Sequence, residues 1–259
     1  MNDWITPDWP APDNVNALFT TRIGGKSSGP YASLNLGDHV GDDFTIVKQN
    51  RALLREVLPD GPRWLKQVHG TIPVKFDGDD CAVPCEGDAA FTPCPGNVCA
   101  VLVADCLPIL LCNHAGTVVG VIHAGWRGMA DGVIESTVSE IRKTCGINTR
   151  IMAWLGPAIG PHHFEVGEEV RQAFVKRDQN SVLAFLPHRA HSGKWFADLS
   201  LLARQRLMKA GVTETYGGGE CTFSDPARFF SYRRDGNTGR MAGLIWLTPV
   251  GHKETKQKK

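Results

Sequence analysis

The chain has 259 residues, 42% of them hydrophobic and 21% charged, which is an ordinary composition for a globular protein with a substantial core. Its formal net charge of +1 gives no reason to expect nucleic acid as a partner. The N-terminus does not resemble a signal peptide and no apolar run is long enough to span a membrane, so we predict a cytoplasmic protein without membrane contact. In that compartment its eight cysteines are expected as free thiols or metal ligands instead of disulfides.

No internal repeat is visible, and no stretch rich in Pro, Gly and Ser divides the chain. We therefore predict one domain over residues 1–250. The last nine residues, 251–259, include four lysines and are predicted to form a basic, disordered tail.

The first predicted elements are a strand over residues 15–21 and a helix over residues 45–57. Between them lies a long loop rich in Gly, Ser and Asn, residues 22–37, and a connection of this length favours a binding role. Residues 62–68 and 72–76 are then predicted to form a hairpin around the turn at His69 and Gly70.

Apolar runs next predict three strands and a helix, and the rest of the chain continues to mix both kinds of element. The predicted strands cover residues 98–103, 109–112, 117–122, 151–155, 215–216, 221–223, 229–233 and 241–247. The predicted helices cover residues 129–144, 167–176 and 199–210. Because strands and helices do not alternate strictly, the predicted fold class is α+β with mixed sheets.

Three side chains that could bind a metal stand beside the apolar runs: His69, Cys106 and His123. A thiolate and two imidazoles are a ligand set for a catalytic zinc ion with one coordination position left open. Their spacing lacks the close pairs of the common zinc motifs, so ordinary packing at strand ends is the alternative interpretation.

Other clusters of cysteine and histidine carry a weaker signal. The cysteines at the ends of residues 81–85 and 94–99 are irregularly spaced and interrupted by proline, which argues against a four-cysteine zinc knuckle. His188 and His191 lie in a polar segment and are predicted to be exposed.

Arg127 belongs to a Gly-Trp-Arg-Gly sequence that precedes the helix predicted from residue 129. The N-terminus of a helix collects free N–H groups and partial positive charge, so this sequence favours an anion site with Arg127 as a bidentate donor. A strand-to-helix turn with a solvated arginine is the alternative.

Seven motifs occur together and in one order, and as a set they closely resemble the bacterial laccase-domain family, also called multicopper polyphenol oxidases or peptidoglycan editing factors. The resemblance spans roughly residues 10–247. The motifs are Thr20-Thr-Arg22-Ile-Gly-Gly, Ser33-Leu-Asn35-Leu-Gly, Gln67-Val-His69-Gly, Ala104-Asp-Cys106-Leu-Pro, His123-Ala-Gly-Trp-Arg127-Gly, Leu155-Gly-Pro-Ala-Ile-Gly-Pro and Phe229-Phe-Ser-Tyr-Arg-Arg-Asp.

The resemblance implies a single-domain α/β/β/α sandwich and a zinc-dependent purine nucleoside phosphorylase. Such an enzyme would act on adenosine, inosine, guanosine and methylthioadenosine, and would also deaminate adenosine. By motif matching, His69, Cys106 and His123 would be both zinc ligands and catalytic residues.

The implied partners are small molecules, purine nucleosides and phosphate. Arg22, Ser33 and Asn35 in the long loop would contact ribose or base, and Arg127 would contact phosphate.

The older oxidase name of the family can be tested by counting ligands. Blue-copper and trinuclear copper centres together need about ten histidines, mostly in His-x-His clusters. This chain has nine histidines and no His-x-His sequence. We therefore expect zinc, with copper only as an adventitious ion.

Two alternatives to a phosphorylase are considered. The first is a cysteine-dependent hydrolase or editing factor acting on peptidoglycan precursors, with Cys106 as nucleophile, His123 as its base and Asp105 or another acid as the group that orients the base. The second is a metal-binding partner protein without catalytic activity.

Overall fold

The computed structural model describes residues 3–78 and 84–249. The predicted tail, residues 251–259, lies outside the described residues, as does Cys81. In the described part of the chain, no helix combines the length and the apolar character that crossing a bilayer would need.

Fourteen strands are found in the described residues, most of them short. They are β1 Val15–Phe19, β2 Leu65–Lys66, β3 Pro73–Lys75, β4 Cys85–Glu86, β5 Ala89–Thr92, β6 Cys99–Val103, β7 Leu107–Asn113, β8 Val119–Ala124, β9 Ile151–Leu155, β10 Glu165–Gly167, β11 Phe185–Pro187, β12 Lys194–Ala197, β13 Glu214–Gly217 and β14 Met241–Leu247.

The helices lie mainly in the second half of the chain. The α-helices are α1 Phe44–Leu54, α2 Trp126–Asp131, α3 Val133–Cys145, α4 Glu168–Val175, α5 Leu199–Lys209 and α6 Tyr232–Asp235. Short 3₁₀ helices cover Gly29–Tyr31 and Gln179–Ala184.

Two sheets form the centre of the molecule. The larger has six strands in the order β13-β9-β7-β8-β5-β3 and is mixed, because its two outer pairs are parallel and its inner pairs antiparallel. The smaller has three antiparallel strands in the order β1-β14-β6. Two further small sheets are β10-β12-β11 and β2-β4.

The two central sheets pack face to face, and helices cover their outer faces. Along β7, Ile109 and Leu111 join the cluster under α3 and α5, whereas Leu110 and Cys112 join the cluster between the sheets. This alternation follows from the two-residue period of a strand. Leu54 of α1 packs in a third cluster on the outer face of the smaller sheet. The four layers are therefore α/β/β/α, which confirms the predicted fold class.

Several predicted elements have the expected positions. The strands at 151–155 and 241–247 match β9 and β14 residue for residue. The helices predicted over 45–57 and 199–210 correspond to α1 and α5, with ends that differ by a few residues at most.

Other predicted elements are wrong. Residues 62–68 and 72–76 do not pair with each other, because β2 pairs in parallel with β4 and β3 pairs in parallel with β5. The helix predicted over 129–144 is two helices, α2 and α3, separated at Gly132, whose φ of 110° belongs to the left-handed region.

The predicted strands at 221–223 and 229–233 are also absent. Cys221 makes only an isolated bridge to Ala158. Ser231 instead caps α6, since its hydroxyl accepts a hydrogen bond from the backbone N–H of Arg234.

The expectation that all cysteines are free is wrong. Cys85 is disulfide-bonded. The other described cysteines are free thiols: Cys94, Cys99, Cys106, Cys112, Cys145 and Cys221.

Candidate metal centre and active-site cavity

The ends of three strands bring His69, Cys106 and His123 together. His69 follows β2, Cys106 lies at the junction of β6 and β7, and His123 belongs to β8. In the β7–β8 ladder His123 is paired with Pro108, two residues after Cys106. One potential ligand atom from each of the three side chains lies within 4.8 Å of the others. The rings of His69 and His123 meet edge to face with centroids 4.9 Å apart.

Two residues of this centre adopt left-handed backbone conformations, His69 with φ of 59° and Asp105 with φ of 91°. Such values are uncommon outside glycine and are held by surrounding contacts. The Asp105 carboxylate accepts hydrogen bonds from the Thr222 hydroxyl (2.6 Å) and from the backbone N–H of Arg233 (2.7 Å). Asp105 therefore holds the Cys106 junction against the segment leading into α6. Of the two options for the acid that orients His123, Asp105 or another acid, Asp105 is therefore excluded, because both of its oxygens contact other groups.

The carboxylate that contacts His123 is Asp88. Its Oδ1 lies 2.8 Å from Nδ1 of His123, and its Oδ2 accepts hydrogen bonds from the backbone N–H groups of Val68 (3.0 Å) and Gly70 (2.6 Å). The Asp88 side chain is fully buried. Its pKa lies below the usual range because, although burial raises it, the hydrogen bonds from His123 and the backbone outweigh burial. Sequence reasoning missed Asp88, and its only signal was an acidic residue directly before an apolar run.

Two glycines of the Gly-Trp-Arg-Gly sequence are explained by close packing. A Cβ at position 125 would lie 2.7 Å from Cδ2 of His69 and 3.2 Å from Sγ of Cys106. A Cβ at position 128 would lie 2.9 Å from the carbonyl oxygen of Gly70. Any side chain at either place would push apart His69, Cys106 and His123, which form the candidate metal-binding group.

The electrostatics of the group favour an ionised thiol. Burial raises the pKa of Cys106, but the nearby charge of His123 and the hydrogen bonds from His123 and His69 lower it to about 6. Burial conversely lowers the pKa of His123, while Cys106 and Asp88 raise it to about 9. Zinc sites use thiolates and imidazoles as ligands. They also often have a carboxylate that accepts a hydrogen bond from a ligating imidazole, as Asp88 does here from His123. The residues present therefore fit a zinc ion.

The metal-binding group opens into a cavity of about 570 Å³, a volume typical of small-molecule sites. Its wall carries three cationic side chains, those of Arg127, Arg233 and Arg240. It also carries three aromatic side chains, those of Trp126, Phe164 and Tyr232. Tyr232 is 62% exposed. The cavity thus combines a metal-binding corner, positive charge and flat apolar surfaces.

Arg127 reaches this cavity from the first turn of α2. The helix begins at Trp126 and not at residue 129 as predicted, and it has only six residues, so its dipole is short. The guanidinium of Arg127 lies 4.4 Å from the centre of the Trp126 ring. Within the described part of the chain it makes no hydrogen bond or ion pair, and it is therefore available to an anionic ligand.

Arg22, Ser33 and Asn35 do not line this cavity. The Arg22 side chain donates to the carbonyl oxygens of Ala32 and Pro226. The Ser33 hydroxyl donates to the carbonyl oxygen of Arg22 and accepts from the N–H groups of two glycines in its loop. Asn35 is fully buried, and its side chain makes four hydrogen bonds within the chain. The side chains of all three residues therefore stabilise the loop through hydrogen bonds within the chain.

A second group of possible ligands is formed by Glu165, His188 and His191. His188 is half-buried, which corrects the expectation that both histidines are exposed. The two rings stack with an interplanar angle of 7°, so a single ion cannot lie in both ring planes. Nδ1 of His188 accepts hydrogen bonds from the N–H groups of Ala190 and His191, which leaves the proton of a neutral ring on Nε2, facing Glu165. The contacts describe a hydrogen-bonded cluster rather than a metal site.

Comparison with known proteins places this geometry in a family. A family model described as multi-copper polyphenol oxidoreductase laccase matches residues 16–248. The chain belongs to this family. A purine nucleoside phosphorylase of Pseudomonas aeruginosa is 51% identical over 248 residues, covering 95% of this chain and 99% of that protein. Purine nucleoside phosphorylase YfiH of Escherichia coli is 50% identical over 249 residues, covering 95% and 100%.

Solved structures of the laccase-like family share the fold. A Neisseria meningitidis protein superposes with a TM-score of 0.86 at 44% sequence identity, covering 95% of this chain and 100% of that one. YlmD from Geobacillus stearothermophilus superposes with a TM-score of 0.81 at 35% identity, covering 93% and 94%. The family resemblance stated from the motifs is therefore confirmed.

Proposed function

We propose that this chain is a zinc-dependent purine nucleoside phosphorylase of the cytoplasm. The observation that carries the proposal is the presence of Cys106, two histidines and the unpaired guanidinium of Arg127 on the walls of one cavity. The names of the curated relatives at about 50% identity support the same activity. The proposed catalytic and zinc-binding residues are His69, Cys106 and His123, in a single domain.

Phosphorolysis needs a site for phosphate and a surface for the base, and the lining of the cavity offers candidates for both. An oxygen of hydrogen phosphate forms a bond to C1′ of the ribose while the C1′–N9 bond breaks. The purine leaves with that electron pair and takes up the proton that hydrogen phosphate gives up. Arg127 would bind the phosphate by charge-assisted hydrogen bonds, with Arg233 and Arg240 adding positive charge to the same wall. Tyr232 and Phe164 offer flat surfaces on which a purine can stack.

Zinc held by His69, Cys106 and His123 would supply a Lewis acid at the inner end of the cavity. The thiolate form of Cys106 is favoured there, and Asp88 accepts a hydrogen bond from Nδ1 of His123. We include deamination of adenosine in the proposal, because a Lewis acid beside a purine-sized space is what hydrolytic deamination of adenine requires.

The proposal is tested with purified, metal-analysed protein. Inosine, guanosine, adenosine and methylthioadenosine are incubated with and without phosphate, and the products are separated by chromatography. We expect release of the free base only when phosphate is present. Conversion of adenosine to inosine should not require phosphate. Dialysis against a chelator should abolish both reactions, and added zinc should restore them. Base release that does not depend on phosphate would contradict the proposal.

One observation favours a second candidate, a cysteine hydrolase. Cys106 is hydrogen-bonded to His123, and the pKa of the Cys106 thiol is lowered to about 6. Asp88 contacts the other nitrogen of His123. Cysteine hydrolases use such a series of nucleophile, base and orienting acid. This candidate predicts an acylated Cys106 in the mass spectrum after incubation with a peptidoglycan precursor. If the chain is a phosphorylase, Cys106 should stay unmodified, and bound zinc should protect its thiol from an alkylating reagent.

A further inference from the structure

We propose that Asp88 is a positioning residue that sets both histidine ligands of the metal centre through its two carboxylate oxygens. Oδ1 faces Nδ1 of His123, and Oδ2 accepts from the backbone on either side of His69. One buried side chain thus connects ligands from two separate parts of the chain. The inference rests on the metal centre of the proposed function and adds to it a residue that determines metal affinity.

Oδ1 determines which nitrogen of His123 can bind a metal ion. A neutral imidazole has one N–H group, and a carboxylate at 2.8 Å from Nδ1 keeps the proton there. Nε2 is then left with its lone pair and faces Cys106 and His69. The same arrangement makes the ring a stronger ligand, because the carboxylate polarises its N–H group.

Oδ2 acts on His69 through the backbone. The N–H groups of Val68 and Gly70 flank His69 and both point at this oxygen, at 3.0 and 2.6 Å. They hold the left-handed conformation of His69, whose φ is 59°. Without the acceptor, this uncommon conformation would relax toward an extended one and turn the ring away from Cys106.

The backbone of Asp88 adds a further restraint. Its carbonyl oxygen accepts a hydrogen bond of 2.7 Å from the N–H of His123, where β5 runs beside β8. The sheet therefore fixes the backbone of Asp88 relative to His123, so that its short side chain brings the carboxylate to the ring. Because the side chain has no exposed surface, water cannot easily replace it as an acceptor.

The test compares Asp88→Asn with Asp178→Asn. Asp178 is a matched control, since its carboxylate is 9% exposed and pairs with Lys209 at 2.8 Å, outside the cavity. We expect the zinc dissociation constant of Asp88→Asn to rise between roughly tenfold and a hundredfold. Asp178→Asn should keep the wild-type value. Activity of Asp88→Asn should recover at zinc concentrations that saturate the weakened site.

Replacing zinc with cobalt distinguishes a positioning role of Asp88 from a purely structural one. The absorption bands of bound cobalt report ligand geometry, so they should shift in Asp88→Asn and stay unchanged in Asp178→Asn. Unchanged zinc affinity and an unchanged cobalt spectrum in folded Asp88→Asn would overturn the inference.

A measurement on the wild-type chain decides the matter if Asp88→Asn does not fold. With ¹⁵N-labelled histidine and bound zinc, nuclear magnetic resonance should show the His123 proton on Nδ1 and the metal on Nε2. A metal-bound Nδ1 would overturn the inference. Wild-type protein that binds zinc through Nε2 yet turns over no nucleoside would refute the proposed function and leave the role of Asp88 intact.

Discussion

The loop of residues 22–37 and the strand ends around Cys106 are both dense in polar groups, but they use those groups differently. In the loop, Asn35 and Ser33 direct their polar atoms to the chain itself. Around Cys106, side chains from separate strands point toward a common centre and leave ligand atoms available. A polar side chain whose partners all lie within the chain stabilises the fold, whereas one with unused capacity beside a cavity can bind a ligand.

The largest expected effect comes from removing the thiolate. Cys106→Ala leaves two imidazoles without the anionic ligand, so we expect most of the zinc to be lost and both proposed activities to disappear. Metal analysis after gel filtration gives the zinc content per chain. Cys94→Ala, at another free cysteine, should keep its zinc. Full retention of zinc by Cys106→Ala would show that Cys106 is not a ligand.

Asn35, in the loop, should affect stability and leave the zinc content unchanged. Asn35→Ala leaves the backbone N–H groups of Gly37, which is buried, and Arg240, which is half-buried, without their acceptor, so we expect the free energy of unfolding to fall by about 3 kcal/mol. Denaturant titration measures this loss, and the exposed Asn148 gives the control Asn148→Ala. Zinc content and kcat of the folded fraction should remain at wild-type values. A fall in kcat with unchanged stability would instead give Asn35 a role at the substrate.

Within the cavity, Arg127 separates the two proposed chemistries. Arg127→Ala removes a charge-assisted contact to phosphate, so we expect release of adenine from adenosine to fall roughly a hundredfold. Formation of inosine and zinc content should stay near wild type, because deamination uses no phosphate. Arg177→Ala is a control, since Arg177 pairs with Asp131 on the surface. Equal loss of both activities would show that Arg127 supports the loop around His123.

The same contrast explains how much of the molecule could be predicted from its sequence. His69, Cys106 and His123 stand at the ends of apolar runs, and strand periodicity indicates where such runs end. Asp88 has no comparable pattern, because its contact with His123 depends on the pairing of β5 with β8, which is a long-range property. For this reason the sequence predicts the three side chains that lie together but not the carboxylate behind His123.

Two of the elements that were predicted wrongly share a physical cause. The segment 229–233 has the aromatic content of a strand, but the cap at Ser231 starts a helix there. The apolar spacing of residues 129–144 fits one helix, but Gly132 interrupts it. In both places a single local backbone preference overrides a pattern summed over many residues.

The smallest expected effect is that of replacing Ser33. It tests whether this loop residue, like Asn35, only stabilises the fold. The hydroxyl accepts from the N–H groups of Gly24 and Gly25 and donates to the carbonyl oxygen of Arg22. Because this part of the loop is only half-buried, water can replace some of these contacts, and Ser33→Ala should cost about 1 kcal/mol of unfolding free energy. Ser192→Ala, at an exposed position, should cost nothing measurable. An unchanged KM for nucleoside and phosphate is expected in both variants, and a raised KM in Ser33→Ala alone would place that hydroxyl at the substrate instead.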